Sequence, residues 1–432
     1  MNRFLVAVAE STASQAAEDD RFDEILLWTL DAPSTFMGAV DPYLKQIGNI
    51  NPVNLDLARV AAGVLAADRS VPRRWGGSDW NARTFEITVQ VAEPERWSAA
   101  VDDLNALISF LSGDHWTIQF IQAPECPDAA LAVPQTGQRA LLFSGGADSA
   151  AGALVSAIDM GPGSSQTLVS HYGPSFLAPL QRRLLGNLRT LAPNRTIQHV
   201  QVHLNRGSQR LDGTRFHDEP STRSRSLLFI ALGLAVADSM GTQLWIAENG
   251  FASLNPPLGA DRRGSLSTRT THPWYLFHLQ ELITRLGGHA DLTNPFRDLT
   301  KGEMFREVSA RIGPDAAAPF LSESNSCAHT HARFLKAPAG SSCGVCFGCL
   351  VRRAAFIAAD IADQTHYLCL DTTGRYDTFI AGVSIVEQMR DFVARGVTPT
   401  SVMAMSLPDG YSASAALDLG QRGVEELKGL FR

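Results

Sequence analysis

The sequence predicts an α/β fold: a Rossmann-like parallel sheet with a zinc-binding segment, preceded by an N-terminal α+β domain. Three observations lead there. Apolar strand-like runs alternate with helix-periodic segments from "ALLF" onward, a turn "SGGADS" joins the first run to small helix formers, and four of the six cysteines cluster between positions 327 and 349.

The 432 residues exceed what one hydrophobic core usually organises, so two or three domains are expected. A composition of 45% hydrophobic and 19% charged residues is that of a soluble globular chain and excludes a disordered or fibrous one. The net charge of -7 argues against a surface that grips nucleic acid along its length. The apolar run in "MNRFLVAVAE" is too short for a signal peptide, and "LLFIALGLAVA" is too short to span a bilayer. The expected location is therefore cytoplasmic, with no membrane partner, and clustered cysteines there read as metal or redox groups.

In residues 1–122, "FLVAVA", "EILLWTL", "TFEITVQV" and "WTIQFIQ" read as strands, while "NLDLARVAAGVLAA" and "WSAAVDDLNALISFL" carry helical periodicity. This is the N-terminal α+β domain, a candidate partner-binding module. "APECPDAALAVPQTGQ", residues 123–138, has three prolines and no period and reads as a linker. From 139 to 365 come "ALLF", a helix from Asp148, "TLVSH", a helix through Leu180, "IQHVQVHL", a helix from Thr222 and "QLWIAEN". Buried strands separated by helices imply a parallel sheet that binds ligands at its carboxyl ends. Residues 366–432 form a helical extension with patterns such as "FIAGVSIVEQMRDFVARG" and no chemical motif.

In Ser144-Gly145-Gly146-Ala147-Asp148-Ser149 the glycines let backbone approach an anion, and the next helix offers unpaired amides. The lysine and spacing of a Walker loop are absent. Asp148 is suited to Mg²⁺ or to ordering the loop. Cys327, Cys343, Cys346 and Cys349 can close a tetrahedral zinc site; an iron–sulfur cluster, or His329 or His331 in place of Cys327, are the alternatives. Cys126 and Cys369 stand apart, and His171 and His203 end two strands where core histidines are common. The arginines at 206, 210, 215, 223 and 225 suit a solvated face, a phosphate site or RNA.

The turn at 144–149 together with "C-x15-CGxCxxCxxRxAAF" at 327–356 resembles the QueC family, the 7-cyano-7-deazaguanine synthases of the pyrophosphate-loop (PP-loop) ATPase type. "STRSRSLLFIALGLAVADSMG" is similar to that family's arginine-led helix, with Arg225 at its arginine. "LWIAENG" is similar to the strand before the substrate loop, with Asn249 at its asparagine, and "NPFRDLTKGEM" to the segment with the phosphate-facing lysine, here Lys301. The layout around this core resembles QatC of the Qat anti-phage systems. The chain departs at Ala150, where the family commonly has threonine, and at "GFASLNPPLGADRRGS", whose Arg262 and Arg263 replace an acidic, aromatic segment.

The resemblance implies ATP, Mg²⁺ and Zn²⁺ as cofactors. Ser144, Gly145, Gly146, Asp148, Ser149, Arg225, Asn249 and Lys301 would bind the nucleotide, with Asp148 and Lys301 catalytic. It implies adenylation of 7-carboxy-7-deazaguanine and transfer to an amine, here of a partner protein from the same operon in anti-phage defence. Rival readings are synthesis of the nitrile preQ0 with ammonia, tRNA thiolation, and an ATP-binding scaffold without catalysis.

Overall fold

The computed structural model describes the chain except residues 1, 30–33, 38–49, 77–80, 125–136, 174–175, 257–268, 328–336, 339, 372–375 and 432. Two compact units interleave along the sequence. Unit 1 comprises Met1–Ala140, Val200–Leu244 and Asp261–Leu292; unit 2 comprises Leu141–His199, Trp245–Ala260 and Thr293–Arg432.

Unit 1 contains β1 (Asn2–Ala7), β2 (Glu24–Leu27), β3 (Phe36–Met37), β4 (Thr84–Val91) and β5 (His115–Gln122). Four of these make a sheet in the order β2-β1-β4-β5, and every pairing is parallel, with Phe4 opposite Ile87 and Ile87 opposite Ile118. Parallel strands need helical crossovers and apolar cover. The helix Val101–Ser112 supplies part of both: Leu104, Leu107, Ile108 and Leu111 recur at helical spacing and are buried, and Gly113 ends it at φ 72°. The α+β expectation thus holds as a mixture of elements, and the structure sharpens it to an all-parallel sheet.

Charges buried in unit 1 fix the start of the helix Arg225–Met240. Arg83 Nη2 donates to Asp114 at 2.7 Å and to Asp68 at 2.5 Å, while Asp68 Oδ2 accepts the amides of Arg223 and Ser224 at 2.8 and 3.1 Å. Burial alone would raise the Asp68 pKa, but the Arg83 and Arg73 guanidiniums outweigh it and hold the carboxyl below its ordinary value. Asp68 takes those two amides just ahead of the helix, which begins at Arg225 and not at Thr222 as expected. Arg206 pairs with Asp218 and Arg210 with Glu24, so these arginines serve unit 1 itself.

A second sheet has five strands. Its strands are β6 (Arg139–Leu142), β7 (Ser165–His171), β8 (Thr196–Val202), β10 (Leu244–Trp245) and β11 (Leu292–Thr293), whereas β9 (Asn205–Arg206) pairs antiparallel with β3. The order β11-β10-β6-β7-β8 places β6 centrally, with the chain running outward to β7 on one side and returning to β10 on the other. That reversal is the topological switch point of a Rossmann-like sheet, where a ligand crevice opens beyond the strand ends. The glycine turn follows β6, and Glu248 and Asn249 follow β10. The strand expected through "QLWIAEN" is short because, after Ile246 N bonds Thr293 O at 2.9 Å, the chain leaves the sheet for the helix Gly250–Ser253.

The helical pattern near 380 is divided between Asp377–Val383 and Val386–Arg395; Pro399–Met403 and Ala413–Gly429 follow. Among the described residues no helix is long and apolar enough to cross a membrane.

Candidate active site and metal centre

The turn after β6 is preformed. Gly145 sits at φ +90°, a conformation that side chains resist, and its carbonyl accepts Asn325 N at 2.9 Å. Ser144 Oγ accepts Gly146 N at 3.2 Å and shares a hydrogen bond with Ser149 Oγ at 3.1 Å; Gln181 Nε2 holds the Ser144 carbonyl at 3.2 Å. The helix Ala147–Asp159 then starts at Gly146 without a side-chain cap, so its first amides are not claimed by one. An anion is the natural partner of such an end.

Beside the turn, Lys301 Nζ donates to Asp148 Oδ2 at 2.7 Å, with both side chains more than nine-tenths buried. Lys301 is the first residue of the helix Lys301–Ile312, capped by Thr300, yet it is not the exposed first-turn lysine such a position usually gives. Asn249 Nδ2 donates to the same Asp148 oxygen at 3.0 Å, while its Oδ1 accepts Ala252 N at 2.9 Å and caps the short helix after β10. The other oxygen, Asp148 Oδ1, is buried without a hydrogen-bond partner.

Glu248 completes the group. Burial first, and the Asp148 charge second, push its carboxyl well above the ordinary range, against the pull of Lys301. Burial also opposes ionisation of Asp148, but Lys301 overcomes it and holds that carboxyl low. Two neighbouring carboxyls thus have pKa values driven apart, a pattern typical of catalytic clefts. A cavity of about 200 Å³ is lined by Ser144, Asp148, Ser149, Glu248 and Lys301, with Phe347 on its wall.

The four clustered cysteines converge. Their sulfurs all lie within 4.8 Å of one another, with Cys327 to Cys346 at 3.9 Å and Cys343 to Cys349 at 3.8 Å. A tetrahedron with metal–sulfur bonds of about 2.3 Å has edges of about 3.8 Å, so the group could hold one zinc ion. An iron–sulfur cube, which must seat several metal and sulfide atoms between its thiolates, needs a wider spread. Hydrogen bonds with neighbouring thiols, then burial, push Cys343 and Cys349 far above the ordinary thiol range, whereas its bond with Cys343 lowers Cys327. A dication would reverse that resistance to ionisation.

Asn325 joins this centre to the turn: it bonds Gly145 through its amide, Cys327 N through its Oδ1 at 2.9 Å, and Gly340 O through its Nδ2 at 2.6 Å. Arg352, fully buried, donates to the Leu321, Ser322 and Ser324 carbonyls at 2.6–2.9 Å and caps the end of the helix Pro314–Glu323.

No family model matches the chain. It is similar to the 7-cyano-7-deazaguanine synthase of Novosphingobium aromaticivorans, with 31% identity over 148 residues, 33% of this chain and 54% of that protein. It is also similar to 7-cyano-7-deazaguanine synthase 1 of Sphingopyxis alaskensis, at 29% over 152 residues covering 33% and 57%. The synthase of Psychrobacter cryohalolentis is 27% identical over 147 residues, covering 33% and 49%. Over that third the chain is QueC-like. It spans about half the length of the curated relatives it matches.

Unit 2 brings Ser144, Gly145, Gly146, Asp148, Ser149, Asn249 and Lys301 together. Arg225 opens its helix in unit 1, directly after the residue that Asp68 holds. His171 is the buried last residue of β7. Cys126, Arg262, Arg263, His329 and His331 lie outside the described residues. Sequence reasoning passed over Glu248, although it directly precedes Asn249 in "LWIAENG", and over Asn325, which stands two residues before Cys327.

Proposed function

We propose that the chain is an ATP-dependent, adenylate-forming C–N ligase acting on 7-carboxy-7-deazaguanine, with an amine of a partner protein as acceptor, in anti-phage defence. The observation that carries this reading is the buried Asp148–Lys301 pair beside a preformed, uncapped glycine turn. The substrate class follows from the similarity to 7-cyano-7-deazaguanine synthases. The defence role rests on the resemblance of the sequence layout around this core to QatC.

The turn amides and the Ser144 and Ser149 hydroxyls would bind the β and γ phosphates, and Lys301 would add a cation to the departing charge. With those phosphates anchored, the α phosphorus would be left open to attack. A substrate carboxylate oxygen bonds to it as the bond to the bridging oxygen breaks and pyrophosphate leaves. The amine nitrogen then bonds to the acyl carbon, the carbon–oxygen bond to AMP breaks, and the nitrogen loses a proton. Asp148 Oδ1, buried and unpartnered, and Glu248 offer the hard oxygen donors that suit Mg²⁺. When bound, that ion neutralises clustered phosphate charge. Four cysteine thiolates would leave zinc no open position, so its part would be to keep Asn325 and the turn in place.

The test is incubation with ATP, Mg²⁺ and 7-carboxy-7-deazaguanine, with and without the proteins encoded nearby, followed by intact-mass analysis. One neighbouring protein is expected to gain the mass of the deazaguanine acyl group. Efficient free nitrile formation, with no mass change on any neighbour, would contradict the protein acceptor and favour ammonia.

A further inference from the structure

The helical extension has no chemical motif, yet its last helix, Ala413–Gly429, packs against three segments that carry site residues in unit 2. Leu419, Val424 and Leu427 share a buried core with Phe251, just after Asn249, and with Leu350, Val351 and Ala354 of the helix that carries Cys349. A Cβ on Gly423 would lie 2.2 Å from Phe251, so the approach there depends on the missing side chain. The polar contacts converge on a third arm, the first turn of the Lys301 helix.

Thr300 and Glu303 cap each other there: Glu303 N donates to Thr300 Oγ1 at 3.2 Å and Thr300 N to Glu303 Oε2 at 2.8 Å. Glu426 adds a second clamp. One of its carboxylate oxygens accepts the Thr300 hydroxyl and the other accepts Gly302 N at 3.1 Å, so the residues on both sides of Lys301 are held. Arg422 reaches Glu303 and donates to Asp298 O at 3.0 Å. A Cβ on Gly302 would lie 2.4 Å from Glu426 Oε1, which matches this glycine to that carboxylate. A negative group at a helix N-terminus is also electrostatically favourable.

We infer that Glu426 is a positioning residue for Lys301, fixing the helix turn that delivers the ammonium to Asp148 and the phosphate turn. This rests on the reading of Lys301 as phosphate-facing. If Glu426 merely stabilised the extension, its loss would not depend on the presence of Lys301.

The experiment is a double-mutant cycle on pyrophosphate affinity, by calorimetry, with the full-length wild type, Glu426→Ala, Lys301→Ala and the double variant. Zinc content is measured on each. Glu426→Ala is expected to weaken pyrophosphate by about tenfold when Lys301 is present and by less than about twofold when it is absent, because coupled residues are not additive. Glu426→Gln, which keeps one acceptor, should fall between and carries the cycle if the alanine variant does not fold. Equal losses in both backgrounds would overturn the inference. Failure of the wild type to bind pyrophosphate would instead overturn the phosphate reading. Hydrogen exchange in residues 300–304 then decides for Glu426: acceleration of about tenfold supports the clamp, and unchanged exchange refutes it.

Discussion

Removing the metal from the Cys327, Cys343, Cys346 and Cys349 centre is expected to unfold this part of the protein, the largest stability change foreseen here. Cys343 and Cys349 are fully buried in a small core with Val345, Tyr367 and Phe379, so loss of the ion leaves four thiols crowded where water cannot solvate them. Structural zinc contributes on the order of 10 kcal/mol to such sites at neutral pH. Purified protein should contain about one zinc per chain. Dialysis against a strong chelator should lower the melting temperature steeply, and Cys346→Ser should reduce both metal content and soluble yield. Loss of this centre should also loosen the turn, since Asn325 bonds Gly145 and Cys327 alike. Full metal retention and unchanged melting in Cys346→Ser would refute a structural four-cysteine site.

Lys301→Ala is expected to lower kcat/KM for ATP by about 10²–10³-fold, the usual loss when one preorganised electrostatic group is removed. The substitution removes the cation that holds Asp148 ionised and leaves that carboxylate buried beside Glu248. Arginine should rescue little, because its planar fork does not replace a compact ammonium 2.7 Å from Asp148 Oδ2. Residues that act as a unit lose activity non-additively, so Lys301→Ala combined with Asp148→Asn should be little worse than the poorer single variant. Steady-state AMP release is measured for Lys301→Ala, Lys301→Arg, Asp148→Asn and the double variant. A wild-type rate for Lys301→Ala would remove that residue from the reaction.

Much of the core was legible because its signals are local. The glycine turn, the cysteine spacing and the strands "TFEITVQV" and "WTIQFIQ" each occupy one short stretch and need no distant partner. What was not legible depends on contacts between distant residues. Nothing near Thr222 shows that Asp68, over 150 residues earlier, will claim the next amides just ahead of the helix. Nor does "NPFRDLTKGEM" disclose that Glu426 will clamp the turn around Lys301. Glu248 is a different case: its place beside Asn249 was visible, but its unusual chemistry arises only when folding sets it against Asp148.

The measurement that bears most directly on the account is the fate of ATP with 7-carboxy-7-deazaguanine and Mg²⁺. A turn that anchors the β and γ phosphates and presents the α phosphorus must yield AMP and pyrophosphate, and ¹⁸O from the substrate carboxylate should appear in the AMP phosphate. ADP and inorganic phosphate as the main products would place the attack on the terminal phosphate and contradict it.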